Sequence, residues 1–492
     1  MIAHLPILQV IIPLLAAPIC LLLNRSKLVW LFSLLASGLA FSISILLLQQ
    51  VMTSGVISYE LGGWQAPWGI EYRIDNLNAF LLLIISGIST VVLFAAQTSI
   101  EKEIPKDKHV YFYVLYLLSL TGMLGIVATG DAFNVFVFLE ISSLSAYALI
   151  AMGNKRQALW ASYQYLIMGT IGATFILIGI GLMYQMTGTL NMEDLSQRLP
   201  EVAQTRTVFV SFVFVIVGVC LKLAMFPLHL WLPNAYAYAP SIVTAFFAAT
   251  ATKVAVYLLI RFTFSVFGLS FSFTTIPLQT LFMALGLFGI FVASTTAIYQ
   301  SNVKHLFAYS SIAQIGYMIV GFSLSTVTGL TATLLHMFNH ALMKGAIFLA
   351  LAAVVYRVGN VELKNFRGLG RQMPLTMAAI VIGGLSLIGV PLTVGFVSKW
   401  YLLTALVEQG WWPIAVLILL GSMLAVVYVW RVIEVAYFKE PLEQNVEVKE
   451  APMSFLIPIW TLVIANIYFG IDTRLSVQVA EAAAQSLFGV SP

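Results

Sequence analysis

Three ionisable side chains lie four residues apart in an otherwise apolar stretch, LLHMFNHALMKGAIFLA (residues 334–350). Because an α-helix turns about 100° and rises about 1.5 Å per residue, His336, His340 and Lys344 form one stripe, about 12 Å long, on the predicted helix. Histidine titrates near neutral pH and can accept a proton on one ring nitrogen while donating from the other. The stripe therefore predicts a proton relay. The structural alternative is that each histidine merely bonds to an adjacent helix.

Four more charges occur inside apolar segments: Glu140 in NVFVFLEISSLSAY, Lys222 in GVCLKLAMFP, Lys253 in AATATKVAVYLL and Lys399 in GFVSKW. Each charge at the centre of a membrane costs about 2.5–3.5 kcal/mol on insertion scales, so that five such residues, counting Lys344, need a reason. One carboxylate serves four lysines, and we expect Glu140 to pair with Lys222. Burial disfavours the ammonium form of the others, so each can gain or lose a proton when a neighbouring charge changes. The alternative is an ammonium group bound to backbone carbonyls at a helix break.

The composition indicates what kind of element carries these side chains. The chain has 492 residues, of which 60% are hydrophobic and only 9% are charged, which excludes a soluble domain. Apolar segments of about 20 residues recur along it, and such segments must be helices because each then satisfies its own backbone polar groups. The sequence therefore predicts an all-α integral membrane protein with about fourteen spans, centred near residues 14, 40, 87, 119, 141, 172, 218, 252, 288, 313, 342, 390, 425 and 462.

Two of these spans contain a proline that should interrupt the helix. They are CLKLAMFPLHLWLP (residues 220–233), with Pro227, and LSLIGVPLTVGFVSKW (residues 385–400), with Pro391. Breaks of this kind are tolerated in membranes where they are buried in protein or line a wet cavity. The two spans are the seventh and the twelfth, and an odd separation inverts the second unit, as in transporters built from inverted repeats. The alternative is that prolines are simply more common in membrane helices.

The remaining polar residues and the cysteines indicate the orientation of the chain in the membrane and limit the kinds of site it can form. Lysine and arginine concentrate in alternate loops, which places both termini outside the cytoplasm. The only cysteines, Cys20 and Cys220, both lie in apolar segments, so we expect no disulfide, no metal site and no cofactor. The charge of +4 reflects the loops and indicates orientation, not a nucleic-acid partner. His229 is expected to be a structural or access residue outside the relay, and Asp131 is expected to cap the fifth span.

The motifs FNVFVFLE, LKLAMFPLHLWLPNAYAYAPS, ATKVAVYLLIRF and GVPLTVGFVSKW, together with the histidine stripe, carry a specific resemblance. The chain resembles the antiporter-like subunits shared by Mrp-type multisubunit cation/proton antiporters and the membrane arm of respiratory complex I, over roughly residues 70–440. Residues 441–492 match nothing recognisable. The resemblance implies fourteen helices with two inverted five-helix repeats, each containing one broken helix. The corresponding divisions are an N-terminal three-helix segment (1–108), the two repeats (109–264 and 275–440) and a C-terminal helix and tail (441–492).

The resemblance also implies a role for each buried charge. Glu140 matches the glutamate of the fifth helix, Lys222 its lysine partner on the seventh, and Lys253 the bridging lysine of the eighth. His336, His340 and Lys344 match the residues in the middle of the family's proton path, and Lys399 matches its terminal proton-exchanging residue. In this picture, opening and closing of the pair between Glu140 and Lys222 alters the proton affinity of the next lysine.

The subtype and the partners follow from smaller features. The chain is too short to carry the extensions of the A-type Mrp subunit or of the largest complex I subunit. A lysine at position 399 and the motif LPNAYAYAPS favour the D-type Mrp subunit. We therefore expect a component of a hetero-oligomeric complex in a bacterial cell membrane that moves protons and sodium or potassium. One alternative is a proton-pumping subunit of a quinone oxidoreductase or membrane-bound hydrogenase. Another is a self-contained transporter of an organic anion, which fits a charge series spread over five helices less well.

Overall fold

A computed structural model describes residues 4–23, 25–442 and 448–490 of the chain. The described part is built of helices, apart from one antiparallel hairpin of β1 (Ile57–Glu60) and β2 (Glu71–Ile74) in the loop after the second helix. The helices of the first half are α1 (Leu5–Leu23), α2 (Ser26–Ser54), α3 (Asn76–Glu103), α4 (His109–Ala128), α5 (Ala132–Ala151), α6 (Arg156–Thr187), α7 (Met192–Val202), α8 (Arg206–Leu223), α9 (Trp231–Tyr238) and α10 (Ser241–Ile260). Those of the second half are α11 (Leu278–Ile298), α12 (Val303–Ser323), α13 (Val327–Val358), α14 (Leu369–Gln372), α15 (Pro374–Ile388), α16 (Val394–Glu408), α17 (Trp412–Phe438), α18 (Met453–Ile471) and α19 (Arg474–Leu487).

The predicted all-α membrane fold is confirmed. Within the described ranges, 13 helices are long and apolar enough to cross a membrane. The remaining predicted span, centred near residue 390, consists of two helices of 15 residues each, α15 and α16, joined by a short break. In the C-terminal segment 441–492, residues 443–447 and 491–492 lie outside the described residues.

Both spans that contain the interrupting prolines are broken in the structure. The seventh span ends as α8 at Leu223 and resumes as α9 at Trp231, and the twelfth ends as α15 and resumes as α16. The chain passes through the left-handed region at each break, at Ala224 (φ 57°) and at Leu392 (φ 70°). A residue with a side chain costs about 1–3 kcal/mol in such a conformation, so the surrounding packing must hold both breaks in place.

The helices that carry the ionisable stripe lie at the centre of the molecule. In their most apolar windows, 94% of the residues of both α10 and α12 are buried and 78% of those of α13, against 39% for α6 and 33% for α17. Helix α13 packs against α3, α10, α12, α15, α16, α18 and α19. Protein therefore surrounds the stripe, while α6 and α17 present wide apolar faces at the perimeter.

Two pairs of neighbouring helices approach through glycines. A Cβ atom on Gly218 of α8 would lie 2.5 Å from the carbonyl oxygen of Gly172 of α6, and one on Gly316 of α12 would lie 2.6 Å from that of Gly286 of α11. Small residues of this kind let backbones pack closely where no hydrophobic force distinguishes a helix neighbour from lipid. The glycines therefore fix the position of α8, which carries Lys222, and of α12.

We predict that a glycine-to-leucine substitution destabilises the protein at one position of α6 and has no effect at another. A Cβ atom on Gly179 would lie 2.5 Å from the Val215 side chain of α8, whereas one on Gly181 would have no described atom within 4 Å. Gly179→Leu should destabilise the protein by about 1–3 kcal/mol through overpacking. Gly181→Leu on the exposed face should leave the midpoint of thermal unfolding in detergent within error of the wild type. Equal midpoints for the two variants would contradict this close approach of α6 and α8.

Candidate functional site

Every one of the four predicted lysines is buried. Lys253 and Lys344 have no exposed surface, and Lys399 and Lys222 are 6% and 9% exposed. Among the described residues, no carboxylate oxygen lies within 4.0 Å of any of these ammonium groups. Each amine instead donates to backbone carbonyls or hydroxyl groups. The lysine amines are therefore hydrogen-bonded to uncharged oxygen atoms and are not paired with a carboxylate.

Lys399 is bound by the break in the twelfth span. Its Nζ donates to the carbonyl oxygens of Leu387 and Ile388, at 2.9 and 2.8 Å, and to Ser422 Oγ of α17 at 2.9 Å. The two carbonyls belong to the last turn of α15, where backbone acceptors lack helical partners and the helix dipole is negative. The amine also lies 4.6 Å from the centre of the Tyr317 ring. The contact expected from the structural alternative is thus present, and it holds the amine at the end of the stripe.

The histidine stripe begins with a side chain bound on both sides. His336 Nδ1 lies 2.8 Å from Ser398 Oγ, and His336 Nε2 lies 2.9 Å from Gln314 Oε1. An amide oxygen can only accept, so Nε2 carries the proton and Nδ1 is free to accept from the Ser398 hydroxyl. A neutral His336 in this tautomer has one acceptor and one donor aligned along the site.

A continuous set of contacts joins His336 to Lys399. The amide nitrogen of Gln314 donates to the carbonyl oxygen of Leu387 at 3.4 Å, and the same oxygen accepts from Lys399 Nζ at 2.9 Å. Ser398, which contacts the other ring nitrogen, directly precedes Lys399. Sequence reasoning missed both Gln314 and Ser398. A lone glutamine in the apolar span YSSIAQIGYMIVG was the available signal for the first, and a serine in a membrane helix gives almost none.

His340 is the least constrained member of the stripe. Its ring stacks on that of His336, with centroids 6.1 Å apart and planes at 12°, and neither ring nitrogen has a hydrogen-bond partner in the described part of the chain. Lys344 follows His340 one helical turn later on α13. Lys344 donates to the carbonyl oxygen of Phe307, at 2.8 Å, and to Ser310 Oγ. A buried imidazole without a hydrogen-bond partner among the described residues has free positions for water or a transferred proton.

The other end of the series differs from the expected ion pair. Lys222 Nζ donates to Ser143 Oγ at 2.8 Å and to the Tyr147 hydroxyl at 3.5 Å. Both partners belong to α5, the helix that carries Glu140, but Glu140 itself forms no ion pair in the described part of the chain, and its buried Oε1 has no partner. The Lys222 side chain therefore reaches the helix that carries Glu140, but the expected ion pair between Glu140 and Lys222 is not formed in the described structure, where hydroxyls hold the amine.

A cavity of about 50 Å³, lined largely by apolar side chains with a few hydroxyl groups, lies between Lys222 and the helix of Lys253. Its lining includes Lys222, Ser143, Ser119 of α4 and Thr252 of α10, the residue next to Lys253. The hydroxyls of Ser119 and Thr252 are buried and have no hydrogen-bond partner among the residues that the structure describes. A cavity needs about 10–15 Å³ for each water, so this one has room for a few, and unpartnered hydroxyls are the groups that retain them. Lys253 itself donates to the carbonyl oxygen of Ala248 at 2.6 Å.

A further polar cluster lies at the beginning of α10 and was not anticipated from the sequence. Glu103, at the end of α3, accepts from the backbone nitrogen and hydroxyl of Ser241, at 3.0 and 2.9 Å. Lys304 Nζ of α12 donates to the same hydroxyl at 3.0 Å, although Lys304 is only 4% exposed. These side chains adjoin a cavity of about 200 Å³ between the loops on the basic side of the molecule. A carboxylate at the N-terminus of α10 stabilises the helix that carries Lys253.

Two other predicted residues have structural positions. Asp131 caps α5 by accepting from the backbone nitrogen of Asn134 at 2.7 Å, as expected. His229 lies in the break between α8 and α9, where its ring stacks on Phe226 at 5.4 Å. It is only 7% exposed, so it is buried within the protein.

The far end of α10 is held by an ion pair that the sequence did not reveal. Arg261 donates to Asp75 at 2.7 Å and to Asn78 Oδ1 at 2.7 Å, and both partners lie at the beginning of α3. Tyr257, one turn before Arg261, donates to the carbonyl oxygen of Val127 in α4 at 3.1 Å. This cluster fixes α10 between α3 and α4 and therefore sets the depth of Lys253 in the molecule.

Comparison with known proteins agrees with this architecture. The family model described as NADH:quinone oxidoreductase/Mrp antiporter, transmembrane, matches residues 129–425, more than half of the chain. The chain belongs to this family. The resemblance inferred from the motifs is therefore confirmed, and the match spans Glu140, both broken helices and the histidine stripe.

Individual members of the NADH:quinone oxidoreductase/Mrp antiporter family match almost the whole chain. The N-type subunit of the NADH-quinone oxidoreductase of Desulforudis audaxviator is 40% identical and covers 96% of both chains. The D-type subunit of the Na(+)/H(+) antiporter of Bacillus subtilis is 30% identical and covers 98% of this chain and 96% of its own. A solved chain of an archaeal membrane-bound sulfane sulfur reductase has a TM-score of 0.90 at 32% identity, covering 98% of both chains. The expectation that residues 441–492 match nothing was wrong, because these similarities leave only a few per cent of the chain uncovered.

We predict that the Arg261 cluster is a structural requirement. The Arg261 and Asp75 side chains are 11% and 15% exposed, and loss of one partner leaves a buried charge, so Arg261→Met should destabilise the protein by about 3–5 kcal/mol. The control is Arg474→Met. The Arg474 side chain pairs with Asp472 at 2.7 Å but is 89% exposed, so this change should be nearly neutral. Thermal unfolding in detergent measures both, and equal losses would rule out the clamping role of Arg261.

Proposed function

We propose that the chain is the proton-translocating subunit of a multisubunit antiporter that exchanges a monovalent cation, sodium or potassium, for protons. The observation that carries this proposal is the series of buried basic groups that runs from α8 through α10 and α13 to α16. These groups bind neutral oxygens, have no carboxylate partner among the described residues and lie away from the lipid-facing perimeter. Groups solvated in this way can change charge within the membrane without losing an obligatory ion pair.

In the proposed path, each predicted residue has one role. Lys222 receives or releases a proton next to the small cavity, and Lys253 is the next acceptor beyond it. His340, with two unpartnered nitrogens, and His336, with one donor and one acceptor, pass the proton along α13, and Lys344 sets the local charge. The last member of the path, Lys399, exchanges its proton with one side of the membrane.

Glu140 acts as the switch of this path. When the carboxylate approaches Lys222, it stabilises the ammonium form, and when the pair is open, as here, the charge of Lys222 disfavours a proton on the next lysine. The hydrogen bonds from Lys222 to Ser143 and Tyr147 hold the open arrangement, and both acceptors lie on the same helix as Glu140. A short movement of the lysine side chain along α5 would therefore exchange one arrangement for the other.

The partners and the location follow from the same proposal. Relatives are named as subunits of antiporters and oxidoreductases, which supports a hetero-oligomeric complex of several membrane subunits. We place the chain in the inner membrane of a bacterial cell with both termini outside the cytoplasm, because the ends of the odd-numbered spans carry most of the lysine and arginine. We also propose that residues 109–264 and 275–440 form two inverted repeats, each with its own broken helix.

A second candidate function is a proton-pumping subunit of a redox-driven complex. The relative with 40% identity is named as an NADH-quinone oxidoreductase subunit, and a solved neighbour belongs to a respiratory reductase. Everted vesicles that contain the native assembly separate the two. Proton movement driven by an added sodium or potassium gradient, without an electron donor, supports the antiporter. Movement that requires NADH or another reductant supports the redox-driven complex.

Loss of the Lys399 amine should abolish transport. In everted vesicles, Lys399→Ala should reduce cation-driven proton exchange to the level of vesicles that lack the assembly, because no other basic side chain occupies the end of α15 in the described structure. Lys449→Ala, which removes a loop lysine far from the path, is the control and should retain full exchange. A Lys399→Ala variant that assembles normally and exchanges at the wild-type rate would rule out the assigned role.

The hydroxyls that line the small cavity should matter for rate and not for folding. Ser119→Ala and Thr252→Val each remove an unpartnered hydroxyl, and each should slow cation-driven proton exchange about fivefold, the equivalent of about 1 kcal/mol for one hydrogen bond to water. Thr250→Val is a matched control, because the Thr250 hydroxyl donates within its own helix to Phe246, at 2.7 Å. Slowing by the control to the same extent would indicate a packing effect and contradict the water-filled link.

A further inference from the structure

A basic groove lies on the surface at the ends of α11, α13 and α17, apart from the proton path. Its volume is about 500 Å³, and its polar lining consists of Ser301, Glu362, Lys364, Arg367, Arg431 and Lys439. Four of these side chains are cationic and one is a carboxylate. Lys439 also pairs with Glu434 at 3.4 Å, but both side chains are more than 40% exposed, so the pair contributes little. The groove therefore has a surplus of positive charge.

The two arginines of the groove are fixed by backbone carbonyls. Arg431 donates through Nη1 to Ile298 and, at 3.0 Å, to Gln300, and Arg367 donates through Nε to Glu440 at 3.1 Å. Each guanidinium has five N–H donors, and the remaining ones have no partner in the described residues. Such anchored guanidinium groups are suited to bidentate recognition of phosphate oxygens. Because the side chains are already held in place, they lose little conformational entropy when a ligand binds.

An apolar face continues from the groove along α17. Leu419, Leu420, Met423, Val427 and Trp430 are 45–64% exposed on this perimeter helix. The rings of Trp430 and Phe438 lie 5.8 Å apart next to the groove, which is a position typical of aromatic residues at the membrane interface. A soluble phosphate would use only the basic part, whereas a molecule with a phosphate headgroup and acyl chains would use both parts.

We propose that this groove binds the phosphate headgroup of an anionic phospholipid, with its acyl chains lying along α17. Basic pockets at the end of membrane helices on the positively charged side recognise such headgroups electrostatically. The site does not depend on the proposed transport function, since none of its residues belongs to the proton path. It does contact α17, whose Ser422 binds Lys399, so a bound lipid would also hold that helix in place.

The test uses the native assembly in phosphatidylcholine nanodiscs, titrated with phosphatidylglycerol or cardiolipin and read by native mass spectrometry. Arg367→Gln with Arg431→Gln should weaken retention of the anionic lipid about thirty-fold, as expected for two basic contacts near the surface. Lys106→Gln with Lys108→Gln removes two exposed charges from another loop on the same side and should have little effect. Lys364→Gln with Lys439→Gln, which leaves the anchored arginines intact, should weaken retention as well and serves if the arginine variant does not fold.

Three results would overturn the proposal. Equal weakening by the groove variants and the control would indicate diffuse surface charge. Displacement of the lipid by equimolar glycerol phosphate would show that a soluble phosphate, not a lipid, is the ligand. Cross-links from Lys364 or Lys439 to an acidic segment of another subunit that persist after delipidation would assign the groove to a protein partner.

Discussion

An ammonium group inside hydrocarbon must find oxygen atoms within the protein, and this requirement explains the form of the site. A carboxylate would supply them but would also hold the charge permanently. The chain instead interrupts a helix at residues 389–393, so that the last carbonyls of α15 are free to accept from Lys399. Lys344 and Lys253 likewise bind single carbonyl oxygens. Neutral oxygens stabilise an ammonium group without forming an ion pair with it, which suits the proposed gain and loss of protons.

The same requirement places the basic groups at the centre of the molecule. Helix α13 contacts seven other helices, and its neighbours α10 and α12 are almost entirely buried, so that lipid is kept away from the stripe. Close approach at Gly218 and Gly316, and the pair between Arg261 and Asp75, fix the surrounding helices at definite depths. In the proposed path, the groups that would change charge are therefore side chains held within a fixed frame of helices.

The connections between the basic groups consist of small polar residues. Gln314 and Ser398 join His336 to the break that holds Lys399, and Ser143 holds Lys222 away from Glu140. Serine and glutamine occur in membrane helices for many reasons, chiefly as bonds to their own helix, so that their presence in an apolar segment predicts no particular contact. The open state of the expected ion pair is a consequence of these contacts and could not be derived from the spacing of charges.

The sequence alone determined the helical membrane fold, the number and position of the spans, both breaks and the four buried lysines of the proposed path. Hydrophobic length, proline and charge act locally, so each can be recognised within about twenty residues. Only the tertiary structure decided which oxygen binds each amine, where water can be held between Lys222 and Lys253, and which face of α17 carries the basic groove. Those features arise where side chains from helices distant in sequence meet, and their distances depend on packing that no single segment specifies.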